Sequence, residues 1–389
     1  MNEMRGHHHE KPHPPLTLPL SPWGCHINIS PPTPDNWHYR SSSDGSDTPN
    51  FLPHRRASSS LSPLTGKMTS HRPSMPMLSA DVTRLTSRRS SGSTGPAQTS
   101  NLRRCDVIFG RVIGKGAFGK VHAVSGLMHG RPVAIKVVQK RRGSGIHREI
   151  LQAERLAFSL NLQHPHLIEI VAVNMCEGLR GDALIVMELV SPRTLQSVLD
   201  DPTRTISFPE RLRFATEMTS ALVYLHDLDL VHLDVKPRNV LMTSDEKCKL
   251  ADFGSLTLTS VSAPMEETEF TQLLGTLPYR APELMKGFFP SNKADIYSLG
   301  ISLWQLATRE TPHIGANPHW LIYQVTKVNK RPDYHDTGSD SNELKYCDLY
   351  TACWDAEPST RPSAEDVRVS LDNLLHLSWQ VCMSNGRTD

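Results

Sequence analysis

A carboxylate, an ammonium group and an amide fall within six residues in His232-Leu233-Asp234-Val235-Lys236-Pro237-Arg238-Asn239. Pro237 stiffens the string by fixing its own φ. Asp234 can accept a hydroxyl proton, Lys236 can meet a transferring phosphoryl group, and Asn239 can hold a metal ion. Downstream lies Asp252-Phe253-Gly254, directly after the strand-like Lys249-Leu250-Ala251. Asp252 offers a hard oxygen of the kind Mg²⁺ takes, and Mg²⁺ prefers few carboxylates plus phosphate oxygens. Gly254 allows a backbone hinge. Upstream, Gly114-Lys115-Gly116-Ala117-Phe118-Gly119-Lys120-Val121 has three glycines that let a turn approach a phosphate and aim N–H groups at it. A dinucleotide fingerprint has similar glycines but opens into a helix. Here Lys120-Val121-His122-Ala123-Val124 reads as strand, so the loop is a flap between two strands.

Val133-Ala134-Ile135-Lys136 adds a second cation. Alternation on a strand puts Val133 and Ile135 on one face and Ala134 and Lys136 on the other. A lysine projecting into a cleft neutralises phosphate charge, and when buried it needs a carboxylate to stay charged and aimed. Glu149 and Glu154 are the candidates on the next helix. Glu154 is favoured because Phe158, one turn on, can pack inward beside it, whereas Glu149 has only Ala153 there.

These groups need elements to hold them. Short runs rich in β-branched residues predict strands at Val107–Ile113, Lys120–Ser125, Pro132–Gln139 and Ala183–Leu189. Ile150, Ala153, Ala157 and Leu160 recur at helical spacing and predict a helix over Ile146–Leu160. After Thr194 the pattern turns helical, with Leu212, Ala215, Met218, Thr219 and Leu222 along one face of Pro209–Leu225. Similar patterns cover Lys293–Thr308 and Ser363–Leu377. Strands first and helices later predict an α+β protein of two lobes, joined near Glu188–Thr194.

Composition divides the chain differently. Of 389 residues, the first hundred hold 14 of the 29 prolines and 18 serines, while Leu, Ile, Val and Phe supply 12 positions. Such a segment cannot bury enough apolar surface to offset its ordering entropy. Residues 1–101 are therefore expected to be a disordered tail, and 102–380 the folded domain. The net charge of +2 splits into a tail of about +4 and a remainder of about −2. That balance excludes a protein that wraps nucleic acid by charge. The seven cysteines form no C-x-x-C pair, which fits a reducing cytosol better than a disulfide scaffold or zinc site. No run approaches a membrane span, and the first residues show no apolar signal region. His7, His8 and His9 read as a polar low-complexity stretch.

In this order the strings resemble the signature set of the protein kinases, completed by Ala281-Pro282-Glu283 and by Ser359-Thr360-Arg361-Pro362. The resemblance implies a bilobal kinase fold, ATP and Mg²⁺. It implies that Ile113, Gly114, Lys115, Gly116, Ala117, Phe118, Gly119, Lys120 and Val121 cover the nucleotide. Lys136 would pair the α- and β-phosphates, with Glu154 behind it. Asp234 would be the base, and Asn239 with Asp252 would hold the metal ions. Glu188 to Val190 would form the adenine hinge, with Met187 guarding the back pocket and Ala134 and Leu241 among the nucleotide-binding residues. Glu283 would pair with Arg361, and Asp295 would brace the catalytic loop.

Lys236, two residues after the base, and Thr276 in Gly275-Thr276-Leu277-Pro278-Tyr279-Arg280 follow the serine/threonine pattern. The catalytic loop, Ala294–Gln305, Ala352-Cys353-Trp354 and the hinge stretch are similar to those of the Mos kinases. That likeness implies a monomeric cytoplasmic enzyme that phosphorylates MAP kinase kinase and acts in oocyte meiotic arrest. The close of the domain is shared with Raf-like and mixed-lineage kinases, and a pseudokinase scaffold is a further alternative. Most kinases carry Arg before the catalytic Asp, and this chain has Leu233. Leucine cannot pair with a phosphate, so activity is expected without a phosphorylated activation loop, where Glu266, Glu267 and Glu269 add negative charge. In the tail, Arg55-Arg56-Ala57-Ser58 and Arg88-Arg89-Ser90-Ser91 resemble basophilic kinase sites, and Ser21, Ser30, Thr33, Thr48 and Ser62 precede proline.

Overall fold

In a computed structural model of the chain, described for residues 108–116, 119–128, 131–138, 146–174, 183–259, 275–335 and 340–385, the strands come first. β1 (Phe109–Gly116), β2 (Gly119–Met128), β3 (Arg131–Val138), β4 (Ile170–Asn174) and β5 (Ala183–Glu188) form an antiparallel sheet of order β1-β2-β3-β5-β4. α1 (Ile146–Ser159) lies between β3 and β4 in sequence. The expected tail, Ala117, Phe118 and the activation-loop glutamates lie outside the described residues.

Two strands need corrected boundaries. β1 starts later than expected and runs on through the glycines, because Gly114 pairs with Val121 and Gly116 with Gly119. β2 extends to Met128, since Leu127 and Met128 pair with Pro132 and Arg131 beyond a register shift. A Cβ on Gly119 would lie 2.0 Å from the Val137 carbonyl oxygen, so only glycine lets β2 cross β3 this closely.

Alternation sorts β3. Val133, Ile135 and Val137 pack with Ala172, Leu184 and Val186 on one face. On the other side Val138, Val173, Ala183 and Ile185 meet Leu151 of α1, with Phe158 packed against them.

The second lobe is mainly helical. α2 (Leu195–Leu199) is opened by a reciprocal cap between Thr194 and Ser197. α3 (Phe208–His226) buries Leu212, Ala215, Met218, Thr219 and Leu222, the face its sequence predicts. Short strands β6 (Leu230–Val231), β7 (Val240–Met242), β8 (Cys248–Leu250) and β9 (Thr257–Leu258) follow. They pair as β6 with β9 and β7 with β8. α4 (Pro282–Met285), α5 (Asn292–Thr308), α6 (Pro318–Thr326), α7 (Ser341–Cys353) and α8 (Ala364–Asn385) complete the lobe. The expected bilobal α+β kinase architecture is present. Among the described residues, no helix is long and apolar enough to cross a membrane.

α5 is the buried axis of this lobe, with Ile296, Leu299, Ile301 and Leu303 at 0–1% exposure. At its N-terminal turn Asp295 is fully buried and accepts from the backbone N–H groups of His232 (2.8 Å) and Leu233 (2.7 Å). Those bonds tie the loop before Asp234 to the core. Glu283 and Arg361 form a bidentate pair at 2.7 and 2.9 Å, with the guanidinium also over the Tyr297 ring. Arg361 is among the largest fully buried side chains, so this pair anchors the chain around α4.

Candidate active site

Two clusters of charge meet beside the interlobe cleft. In the first, Lys136 Nζ donates to Glu154 Oε1 at 2.8 Å and to Asp252 Oδ1 at 2.6 Å. β3 presents the lysine, α1 the glutamate, and the turn after β8 the aspartate. α1 is held there because Phe253 is buried and its turn, Phe253–Ser255, packs against the helix. Glu149, on the same helix, has no ion pair among the described residues.

Burial acts first on all three groups and disfavours their charged forms. For Lys136 the two carboxylates more than offset it, and its pKa is raised. For Asp252 burial is outweighed by the charge and hydrogen bond of Lys136, with smaller help from Lys236 and His232, and its pKa falls to about 2. Glu154 is the most enclosed, and burial pushes it up despite Lys136. The ionised Asp252 side chain keeps 39% exposure against 3% for Glu154, so Asp252 is the carboxylate open to the cleft.

The second cluster surrounds Asp234. Its Oδ1 accepts from the Thr276 backbone N–H at 2.9 Å and from the Thr276 hydroxyl at 2.8 Å. Its Oδ2 accepts from Lys236 Nζ at 2.6 Å and from the Asn239 amide at 2.7 Å. Asn239 also donates to the Asp234 backbone carbonyl, and Lys236 also donates to the Thr276 hydroxyl oxygen. The carboxylate is thus fixed in rotation, and both oxygens are held by charge or dipole.

The backbone under this cluster uses rare conformations. Leu233 has φ of 62° and Asp252 of 69°, in the left-handed region. Gly275 has φ of 75°, and a Cβ there would meet the Leu233 carbonyl oxygen at 2.3 Å. The segment carrying Thr276 therefore lies flat on the loop carrying Asp234, and Arg280 donates back to the Gly275 carbonyl at 2.9 Å. Leu233 sits at 4% exposure within the main hydrophobic core.

The other singled-out residues line the neighbouring walls. Ile113, Gly114, Lys115 and Gly116 lie on β1, and Gly119, Lys120 and Val121 on β2, so the glycine segment is a hairpin above β3. Ala134 is buried and pairs with Met187 across β3 and β5. Met187, Val190 and Leu241 pack at the edge of the core, and Leu241 bridges to Thr194. The Glu188 carboxylate turns away, accepting from Lys249 at 2.7 Å and from the Glu169 N–H at 2.9 Å.

The donor set fits a hard divalent cation. Asp252 supplies an exposed anionic oxygen and Asn239 an amide carbonyl. Among the described residues no group of three or more His, Cys, Asp or Glu side chains could hold a metal alone. A cation there would lean on phosphate oxygens, as Mg²⁺ does.

Sequence reasoning missed several supports. Gly275 could have been flagged as a glycine directly before the hydroxyl residue. His232 opens the catalytic string, but its full burial within 3.2 Å of the Ala251 carbonyl was not readable there, and His226, within 3.0 Å of Asp295, gave no local signal.

The protein kinase domain family matches residues 108–370. The chain is 39% identical over 264 residues to the serine/threonine-protein kinase mos of Patiria pectinifera, covering 67% of this chain and 73% of that protein. It is 33% identical over 300 residues to the proto-oncogene serine/threonine-protein kinase mos of Rattus norvegicus, covering 70% and 85%. Against the transforming protein mos of Moloney murine sarcoma virus (strain ts110) it is 34% identical over 272 residues, covering 65% and 74%.

Proposed function

Because the chain belongs to the protein kinases, and within them to the Mos serine/threonine kinases, we propose that it transfers the ATP γ-phosphoryl group to a hydroxyl of MAP kinase kinase in maturing oocytes. Serine/threonine kinase activity follows from the family. The substrate and the setting are the inference. The observation that carries the catalytic assignment is the clamped carboxylate of Asp234, held between Thr276 and Lys236.

In this reading Asp234 orients the substrate hydroxyl and takes its proton as the oxygen bonds to the γ-phosphorus and ADP departs. Lys236 sets a positive charge where negative charge gathers in the transfer. Thr276 holds the base and the lysine in register, so little reorganisation is needed on reaction. Lys136 neutralises phosphate oxygens, and Glu154 keeps it charged and aimed. Asp252 and Asn239 would hold Mg²⁺, which when bound supplies charge neutralisation at the phosphates. The β1–β2 hairpin covers the nucleotide, and Met187, Glu188, Val190, Ala134 and Leu241 enclose its base.

Leu233 supports activity without a phosphorylated activation loop. Its side chain is in the hydrophobic core, where an arginine would otherwise be available to a phosphate. We place the enzyme in the cytoplasm as a monomeric catalytic domain. Cys248, Cys347 and Cys353, buried and unbridged, support a reducing compartment. The deciding assay uses kinase made in bacteria with catalytically inactive MAP kinase kinase as substrate. Phosphate on its activation loop is the expected result. Transfer to a general protein substrate with none to MAP kinase kinase would overturn the substrate assignment.

A further inference from the structure

β1 and β2 carry positive charge that the catalytic clusters do not use. Residues 107–148 contain nine Lys and Arg and no Asp or Glu. Residues 102–188 hold 13 Lys and Arg against 7 Asp and Glu, whereas residues 189–389 hold 19 against 27. The small lobe is thus positive and the remainder of the chain negative. Within the small lobe Lys136 is held by Glu154 and Asp252, and Arg131 pairs with Glu169 at 3.1 Å. Lys115 and Lys120 are placed otherwise. They stand directly opposite each other across β1 and β2, both exposed, with no ion-pair partner among the described residues. Like charges facing across an antiparallel pair destabilise it. An anion lying over both removes that repulsion.

The strand register fixes where the pair points. Residues directly opposite in a sheet share a face. Val121 pairs with Lys136, so both face the cleft. Lys120 pairs with Val137, which belongs to the opposite face with Val133, Ile135, Phe109 and Val124. Lys115 and Lys120 therefore project away from Lys136, while the backbone of their hairpin lies over the cleft. Val112 and His122, a further pair of the same two strands, share the outward side, and Val112 is 42% exposed. Ile108, at the entry to β1, is 72% exposed. Carboxylates of the small lobe are placed elsewhere. Glu169 is with Arg131 at the other end of β3, and α1, with Glu149 and Glu154, packs on the cleft side of the sheet.

Opposed lysines beside exposed aliphatics on a flat strand pair have the composition of a membrane-surface contact. Lysines meet lipid headgroups as point charges, and aliphatic side chains enter the headgroup boundary. A nucleic acid would meet the charge but set Val112 and Ile108 against phosphate. An acidic polypeptide anchors in pockets, which two flat strands do not offer. We propose that the outward face of the β1–β2 hairpin, centred on Lys115 and Lys120 with Val112 beside them, docks the kinase on an anionic phospholipid surface. The same surface repels the negative large lobe, so the molecule meets it small lobe first. The contact leaves the Asp234 and Lys136 clusters open to nucleotide and substrate. It lies beyond the transfer reaction, and its test reads binding alone.

The full chain is floated with phosphatidylcholine vesicles, without and with about a third phosphatidylserine. Binding should require phosphatidylserine and should fall at least tenfold between about 0.1 and 0.5 M salt. A lysine at an anionic surface strengthens binding roughly fivefold, so Lys115→Ala/Lys120→Ala should weaken it about 25-fold. Val112→Ser should weaken it roughly threefold with the salt dependence unchanged. Lys327→Ala/Lys330→Ala, on the large lobe, is the control and should bind like wild type. Thermal unfolding at the wild-type midpoint checks that each variant is folded, and the wild-type titrations decide the question without any variant. Equal binding with and without phosphatidylserine, or equal binding by folded Lys115→Ala/Lys120→Ala, overturns the proposal. So does a matching loss in the control. Inositol hexakisphosphate, polyglutamate and duplex DNA are titrated separately. Tighter binding to any of these than to the anionic vesicles gives the face to that anion and overturns the membrane assignment.

Discussion

Glu154→Gln removes one charge from the Lys136 cluster while keeping side-chain volume. Lys136 Nζ now sits 2.8 Å from Glu154 and 2.6 Å from Asp252. With the charge gone, Asp252 is the ammonium's one anionic partner in this cluster and draws it toward the group that would hold the metal. A hydrogen bond to a charged partner contributes about 1.5–3 kcal/mol. At 1.36 kcal/mol per decade, its loss lowers kcat/KM roughly 10- to 150-fold. Stability should change little, because the amide can still accept from Lys136 and burial already disfavours the Glu154 charge. Glu149→Gln on the same helix is the control and should leave kcat/KM within about twofold, as surface-type changes do. Steady-state transfer to a short serine peptide, with ATP varied, measures both variants. If Glu149→Gln lost activity and Glu154→Gln kept it, the assignment of the lysine's partner would be refuted.

Three further outcomes follow from named contacts. Gly275→Ala forces a Cβ to 2.3 Å from the Leu233 carbonyl at a φ of 75°, so it should cut kcat at least a hundredfold while circular dichroism stays native. Arg361→Ala leaves Glu283 buried without its partner and should cost about 3–5 kcal/mol, seen as a fall of roughly 10 °C in thermal unfolding; a fall under about 3 °C would contradict the anchoring role. His313 is held neutral by burial, with Lys330 and Arg331 adding to the effect, and its pKa is pushed down to about 4. Its unfolded form binds the proton more tightly, so stability is full above the unfolded pKa of about 6.5 and is lost as pH falls toward 4. Urea midpoints of wild type should drop across that window, and His313→Gln should flatten the drop.

Much of this could be read from the chain because the chemistry is carried by short strings. Asp234, Lys236 and Asn239 are set by one loop, and Lys136 by the alternation of one strand. The helix face of α3 was equally legible from its spacing, whereas α5, expected to show one apolar face in the same way, is buried on all sides. What was hidden depends on residues far apart in sequence meeting in the fold. Asp295, which the resemblance implies as the brace of the catalytic loop, does brace it from 62 residues away, but its hold on His226 was not readable, nor was the way Gly275 lies on Leu233 from across the activation segment. The end of β1 was misjudged because glycines read as turn, whereas here their lack of side chains lets the strand continue into a tight hairpin. The burial of Leu233 is also tertiary. In the string it looked only like a missing arginine, and the fold makes it part of the core.

Asp234, already clamped by Thr276 and Lys236, is expected to perform the transfer without help from a phosphorylated loop. Its most direct test is phosphate incorporation into a general protein substrate by bacterially made, phosphatase-treated kinase, wild type beside Asp234→Asn. Wild type should yield phosphoserine and phosphothreonine, and the variant should lose at least a thousandfold. Activity that vanishes on phosphatase treatment, or that survives the loss of the Asp234 carboxylate, would contradict it.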